Sequence, residues 1–94
     1  MKVDIEKALR KALKTGKVYL GSKRTIKALK NGEAKLIVMA ANCPKEVKQE
    51  IEKHNKPIIT FNGTNMELGA ICGKPFSVAA LAIIDAGESE ILNA

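Results

Sequence analysis

An α/β fold, a three-layer sandwich around one small sheet, is what this 94-residue sequence predicts. Three observations carry that expectation. Helical and strand-like patterns alternate along the chain in the order αβαβαβαβ. Two of the strands, "LIVMAA" (36–41) and "VAALAII" (78–84), are continuous apolar runs of the kind that is buried on both faces. The connections are short, and no repeat, low-complexity run or linker divides the chain. With 46% hydrophobic residues there is enough apolar material for one core and too little chain for two, so residues 1–94 read as a single domain.

The elements follow in order. Ile5, Ala8, Leu9, Ala12 and Leu13 recur at helical spacing, with Asp4 placed to cap their start and Gly16 to stop them. "KVYL" (17–20) is a short strand. Ser22 reads as the N-cap of a second helix, whose apolar positions Ile26 and Leu29 leave Lys23, Lys27 and Lys30 off the buried stripe, and Asn31-Gly32 ends it. After the apolar run 36–41, Asn42-Cys43-Pro44 offers a cap with proline at the first helical position, which predicts a third helix over 44–54. Lys56-Pro57 turns the chain into the strand "IITF" (58–61). Thr64 and Glu67 then have capping-box spacing for a fourth helix, kept short by Gly69 and Gly73. "CGKPFS" is a loop before the last strand, and "DAGESEILNA" is a polar tail with at most one helical turn.

Charge distribution points to a partner. The net charge is +6, but residues 1–35 hold eleven Lys/Arg against Asp4, Glu6 and Glu33, a local net of +8. Residues 36–94 hold five against seven, a net of −2. Such asymmetry in a folded chain marks a basic face that meets a polyanion, nucleic acid above all; a solvated lysine-rich surface is the alternative. No run of 18 apolar residues occurs and the N-terminus lacks the apolar segment of a signal peptide, so a cytoplasmic chain without a membrane span is expected.

The stretch "LGSKRTIKALKNG" (20–32) concentrates that charge. A helix that opens with Lys23 and Arg24 puts cations where its dipole is already positive, against the preference for acids in the first turn. If at least two strands are parallel, this loop and the helix starts at 42–44 and 63–64 gather on one edge of the sheet, where ligands of open α/β folds bind. Cations there oppose helix stability but suit a phosphate backbone, which the unpaired N–H groups of a helix start also attract.

Tyr19, Phe61 and Phe76 are the only aromatics, too few for a base-stacking sheet. Phe76, in "GKPFS" beside Lys74, either packs under a base or plugs the end of the core. Catalytic signals are sparse. Cys43 and Cys72 are 29 positions apart with no CxxC or His/Cys cluster, which suits buried reduced thiols; Cys43, just before a helix, is placed for a lowered thiol pKa. His54, the sole histidine, sits where it complements a helix C-terminus. Neither GxGxxG nor a Walker loop occurs.

"GSKRTIKALKNGEAKLIVMAANCP", "FNGTNMELGAICGKPF" and "DAGESEIL", in this order and spacing, resemble the L-thirty-e family of archaeal and eukaryotic large-subunit ribosomal proteins over nearly the whole chain. That family is a branch of the kink-turn RNA-binding superfamily. The resemblance implies a three-layer α/β/α sandwich with a small mixed four-stranded sheet, no enzymatic activity, and no metal or cofactor. It implies binding of ribosomal RNA, or other kink-turn RNA, in the cytoplasmic ribosome beside neighbouring ribosomal proteins, with a monomer outside the ribosome. The RNA surface carried over comprises Gly21, Ser22, Lys23, Arg24 and Lys27, then Asn42, then Gly73, Lys74 and Phe76, with Asn65 a further candidate. For the last loop to reach the edge of the first two, the final strand must run antiparallel to theirs. Other branches carry an Asn-Glu pair where this chain has Lys23-Arg24, which shifts the expected recognition there from base edges to shape and phosphates. The alternative from another class is a protein-interaction module of the same fold without specific RNA binding.

Overall fold

Eight elements alternate strictly in the computed structural model, which describes residues 5–89 and residue 91. They are α1 (Ile5–Thr15), β1 (Lys17–Leu20), α2 (Ser22–Lys30), β2 (Leu36–Ala40), α3 (Lys45–Glu52), β3 (Ile58–Phe61), α4 (Asn65–Ile71) and β4 (Ala80–Asp85). The sheet order is β1-β4-β2-β3, so the last strand in sequence lies between the first two. It runs antiparallel to both, while β2 and β3 are parallel. The sheet is therefore mixed, with three strands pointing one way and β4 the other.

Alternation of side chains across the two central strands builds the layers. Leu36, Val38 and Ala40 of β2 and Leu81 and Ile83 of β4 pack with Ala8, Leu9 and Ala12 of α1 and Leu68 of α4. Ile37 and Met39, with Ala80 and Ala82, face the other way onto Ala28 and Leu29 of α2 and Ile51 of α3. Two helices cover each face, as a sheet buried on both sides requires. Each fully buried Leu or Ile stabilises by about 1.5–3 kcal/mol relative to exposure.

The helix ends obey backbone accounting. At Asn31-Gly32 the Gly32 N–H donates to the Leu29 carbonyl and the Glu33 N–H to that of Ala28, a Schellman closure that leaves the chain turned toward β2. The Thr64–Glu67 capping box forms as its spacing predicts. Asp4 lies outside the described residues.

Three expected element starts need correction. Gly21, not Ser22, is the cap residue of α2, because its N–H donates to the Ala80 carbonyl and its φ of +103° suits glycine alone; Ser22 is the first helical residue. Pro44 stands at the cap of α3 with an extended ψ of 141°, so the helix begins at Lys45. The last strand starts at Ala80, since Val78 instead donates its N–H to the Asn65 carbonyl. The tail is anchored: Ile91 is fully buried among α1, β2 and β4 side chains, and the Ser89 hydroxyl donates to the Ala8 carbonyl.

Gly69 does not interrupt α4 but lies inside it, buried. A Cβ there would overlap the carbonyl oxygen of Phe76, so the missing side chain lets the 73–79 loop lie directly on the helix. Elsewhere in a helix, Gly→Ala raises stability by roughly 0.5–1 kcal/mol. Gly69→Ala will instead lower it by about 1–3 kcal/mol through overpacking, read by urea unfolding against the wild type.

Candidate nucleic-acid interface

Strand direction gathers the loops. Leu20 is in register with Leu81, Met39 with Ala80 and Ala40 with Phe61, so the C-terminal ends of β1, β2 and β3 and the start of β4 share one edge of the sheet. Backbone bonds lace the four loops together. Gly21 N–H donates to the Ala80 carbonyl at 2.9 Å, Ala40 to Ala79 at 2.8 Å, Ala41 to Gly63 at 2.9 Å and Val78 to Asn65 at 2.9 Å.

In the first loop, Lys23, Arg24 and Lys27 are exposed and Ser22 half-buried, and the first turn of α2 contains no acid and receives no side-chain cap. The N–H groups of that turn therefore open toward the strand ends, with Lys23 and Arg24 in the same turn. Arg24 is not a free cation: its guanidinium carbon lies 4.8 Å from the centre of the Tyr19 ring, with Lys17 Nζ 5.3 Å from the same ring. This cation–π contact holds the Arg24 guanidinium beside the ring. The cleft beside it, about 330 Å³, is lined by Tyr19, Arg24, Lys27, Ala28, Asn31 and Glu33.

Asn42 does not cap α3. Its Oδ1 accepts the Asn65 N–H at 2.7 Å and its Nδ2 donates to Asn65 Oδ1 at 3.3 Å, so it clamps the loop after β2 to the start of α4 rather than capping α3. One amide hydrogen of Asn42 is spent on Asn65, which places both side chains together on the shared edge. Sequence spacing cannot show a pairing across 23 positions.

Phe76 is 53% exposed and Met66 63%, the two large hydrophobic residues that the described surface leaves open. Phe76 is thus no plug of the core. It projects from an exposed run, 73–77, whose start is pinned: Gly73 N–H donates to the Ala70 carbonyl and Lys74 N–H to that of Gly69, closing α4. Met66 was not singled out by sequence, because helical spacing places a methionine in a core as readily as on a surface. A further cleft of about 370 Å³, lined by residues including Ala41, Cys43, Lys45, Lys48 and Thr60, adds two cations near the same edge.

Thiol chemistry does not fit. Burial raises the Cys43 thiol pKa above its ordinary value, outweighing the opposing pull of Lys48, and burial raises that of Cys72 likewise. The lowered value expected for Cys43 is thus corrected, because partial burial disfavours the thiolate more than Lys48 favours it. Among the described residues no group of three His, Cys, Asp or Glu could hold a metal, and no helix is long and apolar enough to cross a membrane.

Two outcomes follow from these contacts. Iodoacetamide will modify Cys43 more slowly than a free thiol at neutral pH, with the rate still climbing above pH 9, as mass spectrometry of timed aliquots will show. Asn42→Ala will cost roughly 1 kcal/mol of stability by breaking the clamp, measured by thermal unfolding beside Asn62→Ala, an exposed control outside the clamp.

Comparison with known proteins gives one coherent result. The model of the "Ribosomal protein L7Ae/L30e/S12e/Gadd45 family" matches residues 3–93. Among similar proteins, the "Large ribosomal subunit protein eL30" of Methanosarcina mazei is 52% identical over 94 residues, covering 100% of this chain and 91% of its own length. That of Archaeoglobus fulgidus is 55% identical over 82 residues, 87% of this chain and 95% of its own. That of Methanothermobacter thermautotrophicus is 52% identical over 95 residues, 97% of each.

Proposed function

The chain belongs to the ribosomal protein L7Ae/L30e/S12e/Gadd45 family, and from that membership we propose that it is a structural, non-enzymatic component of the large ribosomal subunit. It binds a kink-turn-like internal loop of ribosomal RNA through the loop edge of its sheet, in the cytoplasmic ribosome beside other ribosomal proteins. One observation supports this reading most: loops 21–24, 42–44 and 73–76, far apart in sequence, meet at one edge that carries exposed cations and an exposed phenylalanine.

Each group has a role that its surroundings suit. Lys23, Arg24 and Lys27 neutralise phosphates, with the N–H groups of the α2 start and the Ser22 hydroxyl donating to the same backbone. Gly21 lets the chain enter that turn at positive φ. Phe76 lies under a nucleotide that the bend displaces from its stack, and Lys74 holds the adjoining phosphate while Gly73 sets the loop's departure from α4. Asn42 keeps two loops in register and offers its remaining amide hydrogen to a sugar or base edge; Asn65 is its partner in this. The charges attract any RNA, whereas the fixed spacing of the loops selects a bent one.

Titration of the purified chain with a kink-turn RNA and with a plain duplex of equal length tests the reading. The bent RNA will bind a hundredfold or more tighter, about 2.7 kcal/mol. Phe76→Ala will weaken the bent complex about 5- to 150-fold, the range of one stacking contact of about 1–3 kcal/mol. Lys23→Ala and Lys27→Ala will each reduce the slope of log K against log salt by about 1. Equal affinity for the two RNAs contradicts shape-specific binding and favours a protein-interaction module.

A further inference from the structure

We propose that the outer face of α1 is a second phosphate-binding surface, on the opposite side of the sheet from α2, so that the chain holds two RNA segments at once. The proposal rests on the RNA-binding reading of the loop edge and extends it to a surface that the edge does not include.

Placement carries the first step. Ala8, Leu9 and Ala12 of α1 pack on the sheet face formed by Leu36, Val38, Leu81 and Ile83, whereas Ala28 and Leu29 of α2 pack on the face formed by Ile37, Met39, Ala80 and Ala82. The exposed sides of the two helices therefore look in opposite directions across a body 24–30 Å through. A straight duplex lying on one does not touch the other.

Composition carries the second step. Lys7, Arg10, Lys11 and Lys14 are all exposed, and at 3.6 residues per turn they fall within an arc of about 100°, centred opposite the buried stripe. Glu6 is the only acid of the helix and stands at the border of that arc. The described part of the tail packs along the other border, where the Glu88 N–H donates to Thr15 Oγ1 and the Ser89 hydroxyl to the Ala8 carbonyl. Like charges repeat one turn apart, Lys7 with Lys11 and Arg10 with Lys14, a spacing that opposes helix formation. Lys14 alone is favoured by the helix dipole, at the C-terminal turn.

Chemistry selects the occupant. The arc presents no aromatic, no amide and no apolar side chain, so it has nothing with which to read or stack a base and nothing to insert into a lipid surface. Exposed cations such as Arg10, Lys11 and Lys14, carried on one helix, fit the regular phosphate rows of a double-helical RNA, bound without regard to sequence.

The experiment uses the full chain and two RNAs. The chain is first saturated with the kink-turn RNA, and a labelled plain duplex is then titrated in, with the ternary complex separated on a native gel. Wild type will form that complex. The combined variant Arg10→Gln, Lys11→Gln, Lys14→Gln will hold the kink-turn RNA within twofold of wild type, yet bind the duplex at least tenfold more weakly with a salt slope lower by about 3. The charge-keeping set Arg10→Lys, Lys11→Arg, Lys14→Arg will behave as wild type, which separates lost charge from lost fold. Exclusion of the duplex from the first complex, or equal duplex binding by the glutamine variant, overturns the proposal. Failure of the loop-edge reading is seen separately, in the first titration, before any duplex is present.

Discussion

The sheet depends on the last strand taking its place between the first two. Ala80–Ile83 are all buried, and β4 pairs with β1 on one side and β2 on the other. Without β4, β1 has no hydrogen-bonded neighbour and the two apolar clusters lose the row of small and branched side chains that separates them. Ala80 and Ala82 pack on the α2 and α3 side of the sheet, and Leu81 and Ile83 on the α1 and α4 side. The antiparallel sense of β4 then delivers loop 73–79 to the edge where the other three strands end.

That geometry explains why the cations of α2 are tolerated. A positive side chain at a helix start costs about 0.3–1 kcal/mol, and an exposed cation–π contact such as that of Arg24 with Tyr19 returns about 0.5–1 kcal/mol. The two nearly cancel for Arg24, so it can be held in place at little net cost; Lys23 has no such offset among the contacts described. The edge is stiffened by backbone bonds between loops and by the Asn42–Asn65 clamp, whereas the Lys53–Glu50 salt bridge lies at the C-terminal end of α3. Loops fixed by their backbones keep their side chains free to meet a partner.

Much of the fold was legible because it is local. β1 and β3 occupy the strands expected, and the Thr64–Glu67 box and the Asn31-Gly32 stop act as their spacing says. What escaped depends on contacts between distant segments. Gly69 reads as a helix breaker until the Phe76 carbonyl is known to rest on it. Ser22 is a good capping residue by type, but the bond from Gly21 to Ala80 sets the start of α2. Ile91, in a mostly polar tail, fills part of the α1 layer. At the site, the suspected loops were legible as breaks rich in Gly, Lys and Asn, whereas the Tyr19 support of Arg24 and the exposure of Met66 were not.

Amide chemical-shift mapping of the isotopically labelled chain, titrated with a kink-turn RNA at moderate salt, tests the central claim most directly. The largest changes are expected at 21–27, 42–43, 64–66 and 73–77, all on one edge of the sheet. Changes concentrated at the opposite edge, in 32–35 and 53–57, or spread evenly over every lysine-bearing surface, contradict it.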